Sequence, residues 1–281
     1  MATRPKTLAG VRANEGLEAL YRKRLTSLVD DLHASLSYWL TAAYRQKPPE
    51  ISDPTLPARS PVLAQDLDVF IGMSPAMAMR EVMRRLSKRW NRNFDKAAPK
   101  LAEWFAMAAQ DRSDKQLAKI LRDSGFSVRF RMTREQNDIL QATIGEQVSL
   151  IKSIAQQHLS QVEILVLRSV AAGRDIGGLS KELKQRYQVT KRRADLIART
   201  ENNKATTNMT VARQLKLGIT HGVWCHSAGG KEPRPTHVKA GADKVVFELA
   251  KGWFDPDEGE YVLPRQLINC KCFWKPVLPT E

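Results

Sequence analysis

The sequence predicts an α+β protein: a mainly helical body with long amphipathic helices, a short β arm or hairpin, and a small C-terminal α/β module of short strands and loops. Three observations predict it. Leucines and other apolar residues recur at three- to five-residue steps over most of the first two thirds, the period of a helix with one buried face. One short stretch near the middle alternates apolar and polar residues. After Gly218 helical periodicity stops, and Gly, Pro, Trp and Val become frequent.

The first helix is expected over 15–45. Leu17, Leu20, Leu25, Leu28, Leu32, Leu36 and Leu40 make its stripe, with Arg22, Lys23, Arg24, Asp30 and Asp31 between them. Prolines at 48, 49, 54, 57 and 61 forbid a continuous helix over 47–61, because proline lacks the donor and clashes with the preceding turn. That stretch reads as an extended connector that lets the first helix swing. Ser74 and Pro75 open a second helix, with a hydroxyl at the N-cap and proline at the first helical position, running to about Phe94. Two further pieces are expected at 97–107 and 114–123, before Ser124 and Gly125 break the pattern. Phe126, Val128, Phe130 and Met132 then alternate with Ser127, Arg129 and Arg131, the period of a half-buried strand. A long helix follows over 134–171, closed by Gly173, Gly177 and Gly178. A short helix is expected over 179–187. Thr190 would cap the last long helix, which ends at Gly218. The organisation expected is 1–61 for the first helix and connector, 62–135 for a basic helical region ending in a β segment, and 136–281 for the C-terminal domain.

Charge bounds the partners. The 281 residues hold 45 Lys and Arg against 30 Asp and Glu, a net +15, which draws a protein to polyanions. Arg85, Lys88, Arg89, Arg92 and Lys96 recur at three- and four-residue steps, so one helix would show a positive stripe beside Trp90 and Phe94. Such a stripe neutralises phosphates without reading sequence. Residues 1–10 have charges and a proline but no apolar core, so no secretion leader is expected. No uncharged apolar run reaches membrane-spanning length. Three cysteines, two of them one residue apart, do not make a secreted disulfide framework and fit a reducing cytoplasm.

The candidate chemistry lies in the last third. Glu201 falls in the gap of the stripe made by Ala194, Ala198, Ala205, Met209 and Ala212. A carboxylate there needs a cation or donor, and Arg199, Arg234 and His237 are the candidates for a polar cluster with it. An enzyme of nuclease or transferase type would use Glu201 and His237 as acid and base. Cys270 and Cys272 stand two apart, so an extended segment would aim both thiols at one ligand. Zinc prefers four thiolate or imidazole ligands. The structural zinc set expected is Cys270, Cys272, His237 and Cys225, with His226 as a further donor.

These elements come in a fixed order: a glycine-led stretch at 173–183, Ile197-Ala198-Arg199-Thr200-Glu201, Trp224 after the Gly218 turn, Arg234 with His237, and Asn269-Cys270-Lys271-Cys272. From about Ile139 to about Pro276 the chain thereby resembles the Mu F-like phage head-morphogenesis family, the minor head proteins of tailed bacteriophages. Members usually carry an acidic residue two places before the arginine, as Asp-x-Arg. Here Glu232 stands in that place, and Pro235 or Thr236 takes the family's second basic position. The resemblance implies no enzyme. It implies a low-copy component of the immature head, at the portal vertex or in the head interior, made in the host cytoplasm. Its partners would be the portal protein, the major capsid or scaffolding protein, and packaged double-stranded DNA touched without sequence preference, with no membrane. A plain DNA-binding protein relying on the 80–100 stripe alone is the other class.

Overall fold

The computed structural model describes residues 6–46, 74–173, 176–229 and 232–279. The proline connector at 47–61 lies outside these residues. The elements run α1 (Glu15–Gln46), α2 (Pro75–Asp123), α3 (Arg134–Ala171), α4 (Ile176–Lys216), β1 (His221–Cys225), α5 (Pro235–Ala242), β2 (Val246–Glu248), β3 (Trp253–Asp255), β4 (Glu260–Val262) and β5 (Phe273–Val277). The mainly helical α+β class expected from the sequence is what forms.

Local chemistry sets the helix ends. The Asn14 side chain accepts the Leu17 N–H at 2.8 Å, and Ser74 Oγ accepts the Met77 N–H at 3.3 Å. Each satisfies one of the donors that a helix start leaves without a partner. At the end of α4, Ile219 N–H reaches Gln214 O at 2.9 Å and Gly218 N–H reaches Leu215 O at 3.0 Å. That pair of bonds needs a left-handed residue, and Gly218 supplies it with φ +77°.

Three local expectations are corrected. The pieces expected at 75–94, 97–107 and 114–123 are one helix, α2, with Pro99 inside it. Proline forfeits one hydrogen bond, but buried Phe94, Ala98, Leu101, Ala102 and Phe105 carry the apolar stripe past it at helical spacing. Likewise α4 starts at Ile176 and contains Gly177, Gly178 and Thr190. Thr190 Oγ1 bonds back to Arg186 O at 3.0 Å instead of capping a new helix. Buried Leu179, Leu183, Ala194 and Ala198 keep the stripe unbroken there. Finally, the segment from Phe126 to Met132 forms no strand. Its alternation is half used: Val128 and Phe130 pack against the C-terminal core, while Phe126 and Met132 stay exposed. Side-chain anchors replace a β partner: Arg213 donates to Arg131 O at 2.7 Å, bonds Asp114 at 2.8 and 2.7 Å, and lies over the Phe130 ring.

The contacts divide the chain into two units, neither contiguous in sequence. One comprises Arg24–Ala98 and Ser149–Asp195. It packs the corresponding stretches of α1 to α4 around Leu25, Leu32, Leu36, Leu40, Met83 and Phe94, all buried. The other comprises Met1–Lys23, Pro99–Val148 and Leu196–Glu281 and holds the small sheets. In it, β2-β1-β5 form an antiparallel sheet in that order, with Trp224 opposite Trp274 and Cys225 opposite Phe273. β3 and β4 make a hairpin pairing Trp253 with Val262. Residues ahead of α1 extend the first sheet, with Leu8 N–H donating to Pro276 O at 2.9 Å and Leu278 N–H to Lys6 O at 3.0 Å. Trp224, Phe247, Leu249, Val262 and Trp274 form the core of this module with Leu8, Val11 and Val211.

Candidate functional site

Strand alternation decides which thiols meet. On β1, Gly222 and Trp224 face the core, so Cys225 projects to the other side with His221 and Val223. Its Sγ donates to Val223 O at 3.6 Å and lies by the Lys275 backbone, and it stands outside the cluster described next. His226, one residue on, turns toward the core side of the strand. There Cys270, Cys272 and His237, all buried, bring their ligand atoms within 4.8 Å of one another. His237 Nδ1 lies 3.5 Å from Cys270 Sγ and 3.7 Å from Cys272 Sγ, and His226 Nδ1 lies 3.6 Å from Cys272 Sγ. The three cysteines are free thiols.

Each member is held from behind. His237 sits in α5 with its ring edge-on to Trp224, centroids 4.9 Å apart. Its Nε2 is 3.0 Å from Asp255 Oδ2, and Asp255 is wholly buried. A carboxylate at that distance accepts a hydrogen bond from Nε2–H, which leaves the Nδ1 lone pair facing the two sulfurs. Asp255 is steadied in turn by the Asp257 N–H on Oδ1 at 3.1 Å. Cys270 Sγ accepts the Arg265 backbone N–H at 3.3 Å. A hydrogen bond from Cys272 pulls the Cys270 thiol down, against burial, with His237 and the Arg265 N–H helping, while the same bond and burial push Cys272 up. Burial also lowers Arg265, to about 10, with nearby Arg12 acting in the same direction. A cavity of about 60 Å³ is lined by His226, His237, Cys270 and Cys272 with Glu232, Arg234 and Asn269.

Helix α4 carries the loop that presents the thiols. Arg199 donates to Asn269 Oδ1 at 3.3 Å, Asn203 Nδ2 to Cys270 O at 3.2 Å, Thr207 Oγ1 to Pro264 O at 3.0 Å, and Trp274 Nε1 to Gln214 Oε1 at 2.8 Å. One polar helix face therefore fixes the backbone on both sides of Cys270 and Cys272.

The four residues expected to form a polar cluster separate into two places. Arg199 and Arg234 flank the thiol loop: Arg234 pairs with Glu258 at 3.2 Å and donates to Ile268 O, and Arg199 also meets Glu18 at 3.7 Å. Glu201 faces other helices. It accepts from Gln147 Nε2 at 2.8 Å, Gln147 Oε1 accepts from Tyr21 O–H at 2.9 Å, and Lys204 approaches at 3.4 Å. Burial raises the Glu201 carboxyl, with Lys204 opposing and Glu146 reinforcing. Glu201 and His237 share no hydrogen bond or ion pair among the described residues, and their bonded partners are different. Asp255 is the site residue that sequence reasoning missed. Nothing in its local sequence distinguishes it from neighbouring Asp257 or Glu258, and only the hairpin brings it under α5.

On the other unit Arg85, Lys88, Arg89, Arg92 and Lys96 are exposed on one stretch of α2. Arg85 is bound to Glu81 at 2.6 Å. Trp90 and Phe94 face inward instead, buried, with Trp90 Nε1 donating to Ser35 Oγ at 3.1 Å. No described helix is long and apolar enough to cross a membrane.

Comparison with known proteins falls on the same segment. Residues 160–274 match the family described as Phage Mu protein F like protein. The chain is also 26% identical, over 206 residues, to an uncharacterized protein of Haemophilus influenzae, covering 72% of this chain and 44% of that protein. It therefore spans less than half the length of that curated relative. No solved structure matches it.

Proposed function

We propose that this chain, Mu F-like over residues 160–274, is a minor head protein of a tailed bacteriophage. It acts in few copies beside the portal during head assembly and DNA packaging. The observation that carries this reading is the family match. It is supported by the way the matched segment folds, since its separate signatures serve one construction: the polar face of α4, the Arg234 to His237 turn and the Cys270 to Cys272 loop hold one another through the bonds given above. These groups are buried or bound to their own chain, which suits a scaffold better than a catalyst. Portal, capsid or scaffolding protein, and packaged duplex DNA are the partners proposed.

DNA contact is assigned to the exposed basic stripe of α2. It is a row of charges without a pocket for base edges, so it would meet phosphates alone. Mass spectrometry of purified heads, together with a pull-down on the portal protein, tests the assignment. The chain should appear in heads at a small fraction of the major capsid protein and be retained by portal. Heads that lack it would end the proposal, and a chain absent from heads that still shifts DNA would be a plain DNA-binding protein.

A further inference from the structure

We propose that Cys270, Cys272, His237 and His226 bind a structural zinc ion, with Asp255 as the positioning residue that fixes the ligating tautomer of His237. Geometry carries this. Tetrahedral zinc with Zn–S of about 2.3 Å and Zn–N of about 2.05 Å sets S···N edges near 3.6 Å and S···S edges near 3.8 Å. The three N···S separations here are 3.5, 3.7 and 3.6 Å. His226 stands outside the tightest group of three but keeps its Nδ1 3.6 Å from Cys272 Sγ.

The surroundings suit a closed metal site and not a cysteine nucleophile. Cys270, Cys272 and His237 are 5%, 2% and 2% exposed, beside a small cavity of about 60 Å³. Thiols this buried are poorly placed to attack a substrate. Two thiolates neutralise the dication, so the buried centre carries no net charge that burial would penalise. Loading releases the two thiol protons to solvent. The donors come from three places: the end of β1, α5, and the loop before β5. Zinc would therefore tie together a module of very short strands, the setting in which a small core needs a staple. This inference stands on its own geometry, and a failure of the head-protein reading leaves it intact.

The test uses the full chain purified without chelator, with zinc and cobalt(II) as probes. About one zinc per chain is expected by elemental analysis. Cobalt should give the thiolate charge-transfer band and the strong visible absorption of a tetrahedral site. Cys270→Ser and Cys272→Ser should lose the metal, and Cys225→Ser should keep it. Asp255→Asn should weaken binding about 10- to 100-fold, and chelation should lower the melting temperature. Should the cysteine variants fail to fold, the cobalt spectrum of the unaltered chain decides alone. A chain that takes up neither metal overturns the proposal. So does zinc retained by both cysteine variants, or a melting temperature that chelator leaves unchanged.

Discussion

Two buried groups with displaced pKa values make single residues testable. Glu201 is 4% exposed, and burial raises its carboxyl above the ordinary 4.5. The folded state then holds the proton more tightly than the unfolded state. Its contribution to stability is therefore largest in acid and declines as pH rises from about 4.5 through the raised value. Glu201→Gln removes that slope and still offers an oxygen to Gln147, so urea unfolding should differ from the parent by under about 1 kcal/mol at pH 7. Glu201→Leu strands the Gln147 amide and should cost about 1 to 3 kcal/mol. Equal losses for the two variants would show that the hydrogen bond is not what matters. His158 runs the other way. It is 2% exposed, bonded to Thr190 Oγ1 at 2.8 Å, and pushed down to about 4, chiefly by burial. The unfolded chain binds the proton first, so stability falls as pH drops from about 6.5 toward 4, by at most roughly 3 kcal/mol from this group. Stability measured from pH 7 to 4.5 should flatten in His158→Gln, and an unchanged slope would assign the acid loss elsewhere. The sequence marked Glu201 as a buried carboxylate because a polar residue interrupts an alanine stripe. Its partners were not legible, since Gln147 and Tyr21 lie 54 and 126 residues from their bonded groups.

Among the elements, helices were the readable part because their stripes are periodic, and α3 begins and ends where its pattern does. Their interruptions were over-read. Thr190 is a local signal for a break that buried Leu183 and Ala194 on either side outweigh, and Gly177 and Gly178 open α4 in its first turn instead of closing α3. The lone strand pattern at 126–132 misled for the converse reason: only its middle, Val128 and Phe130, is covered, and Arg213 holds the backbone at Arg131 O where a β partner was expected. Two glycines separate turn chemistry from close packing. At Gly218, φ is +77° and an added Cβ meets nothing within 4 Å. Gly218→Ala should therefore cost about 1 kcal/mol of backbone strain and leave the thiol site intact. At Gly241, an added Cβ would stand 2.6 Å from His226 Cβ and 2.8 Å from its backbone N. Gly241→Ala must push α5 away from His226 and should cost more, with weakened metal uptake. Calorimetry and zinc titration of the two variants give the comparison, and Gly241→Ala protein that loads zinc normally would remove α5 packing as the device that places His226.

At the scale of the whole molecule the outstanding property is charge, +15 over 281 residues, and a polyanion response follows from it. The five stripe residues do not count equally. Arg85 shares Glu81 with Arg84, whereas Lys88, Arg89, Arg92 and Lys96 stay exposed. About three to four phosphates are then within reach of the stripe, and each one contacted releases its condensed counterions. A plot of log affinity for duplex DNA against log salt should accordingly fall with a slope of about −3 to −4. Replacing Arg89 and Arg92 by Gln should bring that slope up by about 2 while changing stability little, because exposed charges away from buried features contribute little to folding. Duplexes of unrelated sequence should give the same line, since phosphates carry no sequence information. Fluorescence anisotropy across a salt series measures all three quantities. An affinity indifferent to salt, or a slope that the double variant leaves unchanged, would move DNA contact off α2, leaving the basic excess to serve an acidic protein partner in the head.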